Sequence, residues 1–278
     1  MKYEKHEMTC QPENSFKVDR NWWQMLLDFV LPPRCVLCGE ASGPICICVA
    51  CIDDLPWLGT HCHRCSLPLG SYKDRVCGAC IQKPPPFDDS ICPLQYEFPV
   101  NRMVQGFKFK RQLATGRVLS HLICEHVASR VSGLPDLLIP VPLHNLRLIS
   151  RGFNQAYELA SYAGKLLDLP LLDNALRRQR NTRAQSGLSR KQRRRNLQGA
   201  FYWHGARLSG RHVALIDDVM TTGTTLSECA RVLKKAGAKR VDVWVAARAI
   251  PHNHHGGGLQ VSRSQQAQPS VHDHATHP

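Results

Sequence analysis

Four CxxC pairs stand within 46 residues near the start of the chain, and they constrain the fold more than any other feature. A CxxC turn presents two thiolates that fit one half of a tetrahedral zinc site. One such pair could serve redox chemistry, but four supply the eight ligands of two closed, structural four-cysteine sites. We therefore expect two zinc ions held by Cys35, Cys38, Cys48, Cys51, Cys62, Cys65, Cys77 and Cys80.

The cysteine spacing leaves the pairing open. Sequential pairing of the CxxC turns is the simplest arrangement, and interleaved pairing is the alternative. Cys46, His61 and His63 lie beside the ligand positions and are extra candidates, although a role as non-ligand neighbours is the simpler interpretation. The segment is too small and too poor in apolar residues to be stable by burial alone, so the metal would supply its stability. Residues 32–82 are accordingly predicted to form a double zinc ribbon.

No segment of the sequence predicts export or membrane insertion. The opening residues, MKYEKHEMTC, lack the apolar core of a secretory signal, and no run of eighteen apolar residues follows. Within the N-terminal segment 1–31, the stretch that begins at Trp22 and runs to Pro33 predicts a short amphipathic helix. Thirteen cysteines without an export signal argue for metal binding rather than disulfides. A cytoplasmic location is expected.

Positive charge is concentrated in one part of the chain. The formal net charge is +14, which favours polyanionic partners. Between Asp173 and Asp217 there is no acidic residue, whereas eleven lysines and arginines lie in that interval. Such a stretch repels itself unless an anion is bound, and a solvated basic face is the alternative interpretation.

Beyond the ribbon, the sequence pattern changes from turns to alternating strands and helices. Residues 83–90 are rich in proline and predict a stiff linker. Residues 91–250 contain apolar runs typical of buried strands at 137–143, 212–217 and 241–247, with helical periodicity at 113–131 and from about 154. This alternation predicts an α/β domain with a parallel sheet flanked by helices. Residues 251–278 hold six of the fourteen histidines and predict a disordered tail.

The segment VALIDDVMTTGTT, residues 213–225, predicts a ligand site. An apolar strand ends in Asp217 and Asp218, and a small polar loop then leads into a helix. Ligands bind at the carboxyl ends of parallel strands, and a helix N-terminus with free amides suits a phosphate. Glycine allows close approach of the backbone. The candidate phosphate-binding residues are Thr221, Thr222, Gly223, Thr224 and Thr225.

The two aspartates have a different predicted role from the loop. They would repel a phosphate directly, so they are expected to face the hydroxyls of a ribose, with a divalent cation such as Mg²⁺ nearby. A P-loop NTPase is disfavoured because the chain has no GxxxxGK[ST] motif. A strand and helix cap without a ligand is the structural alternative.

VALIDDVMTTGTT resembles the phosphoribosyl pyrophosphate (PRPP) signature of type I phosphoribosyltransferases. The whole stretch from about Pro32 to Arg248 resembles the ComF family, which includes GntX-type proteins. The matching features are the CxxC array, QKPPP, FKFK at 107–110, PVPLH at 140–144, RGFNQ at 151–155, TRAQSGLS at 182–189 and RRRNLQGAF at 193–201. The resemblance implies a type I phosphoribosyltransferase-like sheet after the ribbon.

Site residues also follow from the resemblance. The loop after the second strand of related transferases contacts pyrophosphate, which makes Arg147 and Arg151 phosphate-binding candidates here, together with Lys108. The guanidinium fork of arginine suits phosphate oxygens. The basic interval 182–195 would be a mobile hood over the site. The pyrophosphate-contacting loop would run from Pro142 to Asn154, and Asn154 and Gln155 could instead start a helix, with Asn154 as its N-cap.

Three functions are compatible with the resemblance. The first is a phosphoribosyltransferase, a glycosyltransferase in which Asp217 and Asp218 orient ribose while PRPP loses pyrophosphate, although no general base for an acceptor stands out. The second is a single-stranded DNA-binding module in natural transformation or DNA utilisation, with DNA-uptake machinery proteins as partners. The interleaved aromatic and basic residues at 107–111 support it, and an edge strand is their alternative interpretation. The third is a non-catalytic PRPP sensor.

Overall fold

The computed structural model describes residues 32–70, 75–129, 133–179, 197 and 199–251, without the side chains of residues 145–147. Three sequence predictions fall outside these residues: the amphipathic helix that begins at Trp22, the basic hood at 182–195 and the histidine-rich tail after Pro251. Among the described helices, none is long and apolar enough to cross a membrane.

A parallel sheet forms the centre of the described part of the chain. Its strands are β1 (Asp89–Ile91), β2 (Leu94–Gln95), β3 (Leu137–Pro140), β6 (His212–Met220) and β7 (Arg240–Arg248). The order is β1-β7-β6-β3, with β2 also beside β7, and each of these pairings is parallel. A separate antiparallel pair consists of β4 (Leu176–Arg178) and β5 (Phe201–Trp203). The predicted parallel α/β architecture is confirmed.

Helices connect these strands in the order expected for such a sheet. The ribbon region carries α1 (Val49–Asp53) and α2 (Gly78–Gln82). The helices of the α/β region are α3 (Val100–Lys110), α4 (Leu113–Ala128), α5 (Asn145–Arg151), α6 (Gln155–Leu167) and α7 (Thr224–Lys235). Gly237, with φ of +104°, follows Ala236, the C-cap of α7, at a position that favours glycine.

Helices cover both faces of the sheet. Successive strand residues point to opposite sides, so each face contributes its own apolar side chains. On one face, Ala214 and Trp244 pack with apolar residues of α3, α4 and α6. On the other, Leu215 and Val243 pack with residues of α7 such as Leu226. The sheet thus lies between two layers of helices, and the carboxyl ends of its parallel strands remain accessible.

Strand β7 differs from its sequence pattern. The alternation in VDVWVAA suggests one wet face, but the residues from Val241 to Arg248 are all buried. Asp242 is buried at the start of the strand, where it accepts hydrogen bonds from His212 (2.8 Å) and Arg240 (2.9 Å). Burial alone would raise the pKa of Asp242, but these two bonds outweigh it and hold the pKa below the ordinary value.

The FKFK segment is helical, and the edge-strand interpretation was wrong. Residues 107–110 form the last turn of α3, so side chains do not alternate between two faces. Phe107 is buried against Phe153, with ring centroids 5.6 Å apart, whereas Phe109 is 70% exposed. In this helix Lys108 points in a different direction from both phenylalanines and reaches the candidate site described below.

The ribbon packs directly on the α/β region. Cys35, Ile47 and Leu55 are buried in the same apolar cluster as the residues of α3 and α4. Residues 83–90, predicted to be a linker, include a buried aromatic side chain, Phe87, and the first residues of the sheet, because β1 begins at Asp89. Ribbon and sheet therefore share a continuous interface.

Candidate functional site

A cavity of about 250 Å³ opens where β2, β3 and β6 end. Segments that follow these strands line it, together with the first residues of α6 and α7. All five candidate residues of the loop at 221–225 belong to the lining, as do Asp217, Asp218, Lys108 and Arg151. The structure thus brings together residues that are more than a hundred positions apart in the sequence.

The loop at 221–225, called the phosphate loop below, wraps the N-terminus of α7. Gly223 is the N-cap with φ of +70°, in the left-handed region that favours glycine. The hydroxyls of Thr222 and Thr224 are 2.8 Å apart, so they form one polar surface at the helix start. Free amides and the positive end of the helix dipole make this a suitable place for a phosphate.

The two aspartates lie near the C-terminal end of β6. This strand continues to Met220 rather than ending at Asp217 as predicted. Lys108 Nζ is 2.7 Å from Asp218 Oδ2, so α3 contributes a cation to the site. Burial, with the negative charge of Asp218 adding to it, raises the pKa of Asp217 to about 7. Lys108 and a hydrogen bond from the Asp218 amide oppose this rise.

The raised pKa gives a stability prediction. The folded protein retains a proton on Asp217 that the unfolded chain releases, so wild-type stability falls as pH rises from 3.8 towards about 7. Asp217→Asn lacks this loss and still accepts the bond from the Asp218 amide. We expect the variant's gain in free energy of unfolding, measured in urea, to be about 2 kcal/mol larger at pH 8 than at pH 5. A gain that is the same at both pH values would contradict the raised pKa of Asp217.

Arg151 and the first residues of α6 also line the cavity. Arg151 Nη1 donates to Gln155 Oε1 at 3.0 Å, and its guanidinium lies 5.4 Å from the ring centre of Phe109. Asn154 caps α6 by accepting from the Ala156 amide (3.1 Å), as the alternative interpretation had it, while also lining the cavity. The side chain of Arg147 lies outside the described residues.

Sequence reasoning missed part of the lining. Tyr96, Gln155 and Arg178 contribute to it, and none was predicted as a site residue. Gln155 is 2% exposed, and its Nε2 has no hydrogen-bond partner within the described part of the chain. Arg178 belongs to the acid-free interval, and that charge pattern could have identified it. Tyr96 follows a strand of two residues that no periodicity reveals.

The cysteines form two separate groups. The sulfur atoms of Cys35, Cys38, Cys48 and Cys51 lie within 4.8 Å of one another, and so do those of Cys62, Cys65, Cys77 and Cys80. Pairing is therefore sequential, and Cys46, His61 and His63 belong to neither group. Cys38 Sγ is 3.7 Å from Cys48 Sγ, as is Cys65 Sγ from Cys77 Sγ. Tetrahedral zinc with Zn–S bonds of about 2.3 Å requires sulfurs about 3.8 Å apart, so the geometry fits.

The surroundings of the sulfurs also suit a cation. Burial raises the pKa of Cys35, but backbone amides of Cys38 and Cys48 outweigh it and lower the pKa to about 6. Hydrogen bonding from Cys65 lowers the pKa of Cys62 to about 4. In the same groups the pKa values of Cys51 and Cys65 are raised, chiefly by hydrogen bonding with their neighbouring cysteines. Four adjacent thiolates need a metal ion to coexist.

Comparison with known proteins agrees with both halves of this structure. A family model for a double zinc ribbon domain matches residues 26–81, and one for a phosphoribosyl transferase domain matches residues 148–257. Competence protein F of Haemophilus influenzae is 37% identical over 227 residues, which is 78% of this chain and 97% of that protein. The chain belongs to the ComF family.

Other ComF relatives extend over nearly the same region. DNA utilization protein YhgH of Escherichia coli is 35% identical over 226 residues, 79% of this chain and 99% of its own. Competence protein ComFC of Streptococcus pneumoniae is 24% identical over 231 residues, 77% of this chain and 100% of its own. The ComF architecture inferred from the sequence, a phosphoribosyltransferase-like parallel sheet preceded by a double zinc ribbon, is confirmed.

Proposed function

We propose that this ComF protein binds PRPP, or a closely related ribose phosphate, together with Mg²⁺ in the cavity at the strand ends. The observation that carries the proposal is the arrangement of two different binding surfaces around one cavity. The phosphate loop offers amides and hydroxyls, whereas Asp217 and Asp218, on the strand that leads into this loop, offer carboxylate acceptors. A phosphate joined to a sugar with free hydroxyls matches both surfaces.

The orientation of the ligand follows from the charges around the cavity. Its 5-phosphate would lie at the N-terminus of α7, where Thr222 and Thr224 donate hydrogen bonds. Its ribose hydroxyls would face Asp217 and Asp218. Its pyrophosphate would lie towards Lys108 and Arg151, two of the cations that line the cavity. Each part of PRPP thereby meets groups of complementary charge.

The site suits a magnesium ion that is coordinated by both the protein and the substrate. Mg²⁺ typically keeps several waters and is held by one or two carboxylates plus substrate phosphates. Asp217 and Asp218 would provide the carboxylates. Because the pKa of Asp217 is raised to about 7, binding of a cation would favour the ionised form of this carboxyl group. The ion would supply charge neutralisation at the pyrophosphate. Lys108, already paired with Asp218, would add to that neutralisation.

The cellular role proposed for this function is in DNA uptake or DNA utilisation, since the names of two relatives state competence and DNA utilization for those proteins. In the same proposal, two zinc ions occupy the two cysteine groups and serve structure only, because four sulfur ligands leave no open position. If PRPP is turned over, the product pyrophosphate is released when the acceptor base is added. Binding without release would make the protein a PRPP sensor.

The proposal is tested by calorimetric titration of PRPP and Mg²⁺ into the zinc-loaded protein and a loop variant. Gly223→Val places a branched side chain in the concave phosphate loop at φ of +70° and is expected to weaken PRPP binding about 30-fold. Gly210→Val is the matched control, because Gly210 has φ of +76° with no atom near its added Cβ and does not line the cavity. Equal weakening in both variants, or no heat with wild type, would refute PRPP binding at this loop.

A single-stranded DNA function is supported by a separate observation. Phe109 is 70% exposed, and its ring faces Arg151 at the cavity wall. An exposed aromatic ring beside cations is the arrangement that stacks bases and neutralises phosphates. If wild type binds an oligonucleotide with steep salt dependence and gives no heat with PRPP, this second function replaces the first.

A further inference from the structure

One buried arginine connects the second cysteine group to the phosphate loop. Arg248 is the last residue of β7, is 4% exposed and is not part of the cavity lining. Its Nε donates to the carbonyl oxygen of Cys65 at 2.8 Å. Its Nη1, which carries two N–H groups, lies within hydrogen-bond distance of the carbonyl oxygens of Met220 (2.8 Å), Ala249 (2.6 Å) and Thr221, so that one N–H is shared between two of them. A single guanidinium thereby joins ribbon and loop.

The bond to the Thr221 carbonyl helps to fix where the loop amides point, and so does the bond to the Met220 carbonyl, which also accepts from the Ala249 amide at 3.1 Å. In a trans peptide the N–H points away from the carbonyl of the same plane. Holding the Thr221 carbonyl towards Arg248 therefore turns the amide of Thr222 the opposite way, and the Met220 carbonyl does the same for the amide of Thr221. Both threonines line the cavity. The orientation of the phosphate-binding amides thus depends on a side chain behind the loop.

The bond to Cys65 ties this side chain to the ribbon. Cys65 contributes one of the four sulfurs of the second group, so its backbone is held by the cluster. The next residue, Ser66, adopts φ of +53°, is buried, and bonds to Ser90 Oγ on β1 at 2.7 Å. The Cys65 carbonyl is therefore a fixed acceptor only while the backbone around the second cysteine group is folded. Unfolding of that backbone removes one of the partners that orient the guanidinium.

We propose that Arg248 is a positioning residue that makes the geometry of the phosphate loop depend on an intact second cysteine group. The ligand class at the loop, a phosphate monoester, rests on the function proposed above. The dependence itself is a property of the protein alone. It gives the ribbon a role in the site beyond the stability of its own fold.

The primary test measures hydrogen exchange of the loop amides at 221–225 in the zinc-loaded full chain without ligand. Arg248→Met keeps the length and removes the donors, and we expect loop exchange to rise about tenfold. Arg248→Lys keeps the charge and is expected to restore part of this protection. Exchange in α4, on the far helical layer, should stay the same, which separates positioning from general loosening. Unchanged loop exchange in Arg248→Met would overturn the proposal.

The link to the cysteine group is tested by a double-mutant cycle. Cys77→Ser removes one sulfur of the second group and is expected to raise loop exchange about fivefold. In the Arg248→Met background the same change is expected to add less than about twofold, because both changes act through one connection. Cys46→Ser, in neither group, is the control and should have no effect. Multiplicative effects of Cys77→Ser and Arg248→Met would show that they are independent and would overturn the proposed link.

The ligand measurement separates this proposal from the proposed function. Titration of PRPP with Mg²⁺ into Arg248→Met is expected to show about tenfold weaker binding than wild type. If wild type does not bind PRPP but the exchange results hold, the proposed function fails and the positioning role stands. If PRPP binds wild type and Arg248→Met equally well, the positioning role fails and the proposed function stands.

Discussion

Replacement of both Asp217 and Asp218 by asparagine is expected to weaken magnesium-dependent PRPP binding by about 300-fold. Each carboxylate would accept charge-assisted hydrogen bonds from ribose or share a cation, and such contacts are worth about 1.5–3 kcal/mol each. Inorganic phosphate should respond in the opposite direction and bind several-fold more tightly. Its site at the phosphate loop loses two nearby negative charges, and Lys108 loses its partner at 2.7 Å.

The control for this variant changes the charge equally at a distance. Asp168→Asn with Asp173→Asn removes two exposed acids that do not line the cavity, and PRPP and phosphate affinities should both remain at the wild-type value. Calorimetry with each ligand, with and without Mg²⁺, gives the four comparisons needed. Parallel loss of PRPP and phosphate binding would mean that the double substitution has collapsed the loop rather than removed ribose contacts.

Loss of one cysteine ligand is expected to unfold half of the ribbon. Structural zinc contributes about 10 kcal/mol or more in small metal-binding domains, which is comparable to the whole stability of a typical domain. Cys62→Ser, in the second group, should therefore reduce the zinc content from two ions to one per chain. Proteolysis should then cleave near residues 62–80, while the parallel sheet, whose apolar clusters consist mainly of residues from its own strands and helices, should persist.

Cys46→Ser provides a matched control within the same ribbon. Cys46 lies outside both sulfur groups, with its Sγ 3.9 Å from the Pro44 carbonyl oxygen. The variant should retain two zinc ions by elemental analysis and the protease resistance of wild type. Retention of two ions in Cys62→Ser, or loss of one in Cys46→Ser, would show that the ligand sets differ from those inferred here.

The parts of the site that sequence could predict are those encoded locally. The phosphate loop follows directly from an apolar strand, two acids and a glycine before a helix, because each element needs only its neighbours in sequence. The sulfur groups were likewise predictable, since short spacing already places each CxxC pair on one metal. Sequential grouping of the pairs, left open by the sequence, required the structure.

The parts that sequence could not predict depend on distant packing. Strict alternation in FKFK fits a strand, but the buried contact of Phe107 with Phe153 accompanies a helix and directs Lys108 towards Asp218. In the sequence, Arg248 is only the residue that ends an apolar strand. Its role becomes visible only when a residue 183 positions earlier, Cys65, supplies its carbonyl. Tertiary contacts of this range leave no local signal.

The position of β7 in the sheet has a consequence for synthesis of the chain. This strand is near the C-terminal end of the fold, yet it lies between β1 and β6, and Asp242 pairs with Asp89. During translation the early strands emerge without their central neighbour, and the sheet cannot close until Arg248 has left the ribosome. The ribbon, by contrast, can take up metal as soon as residue 80 emerges. In a nascent chain the zinc ribbon would therefore be complete while the sheet is still open, and the addition of β7 would be the step that completes the α/β region.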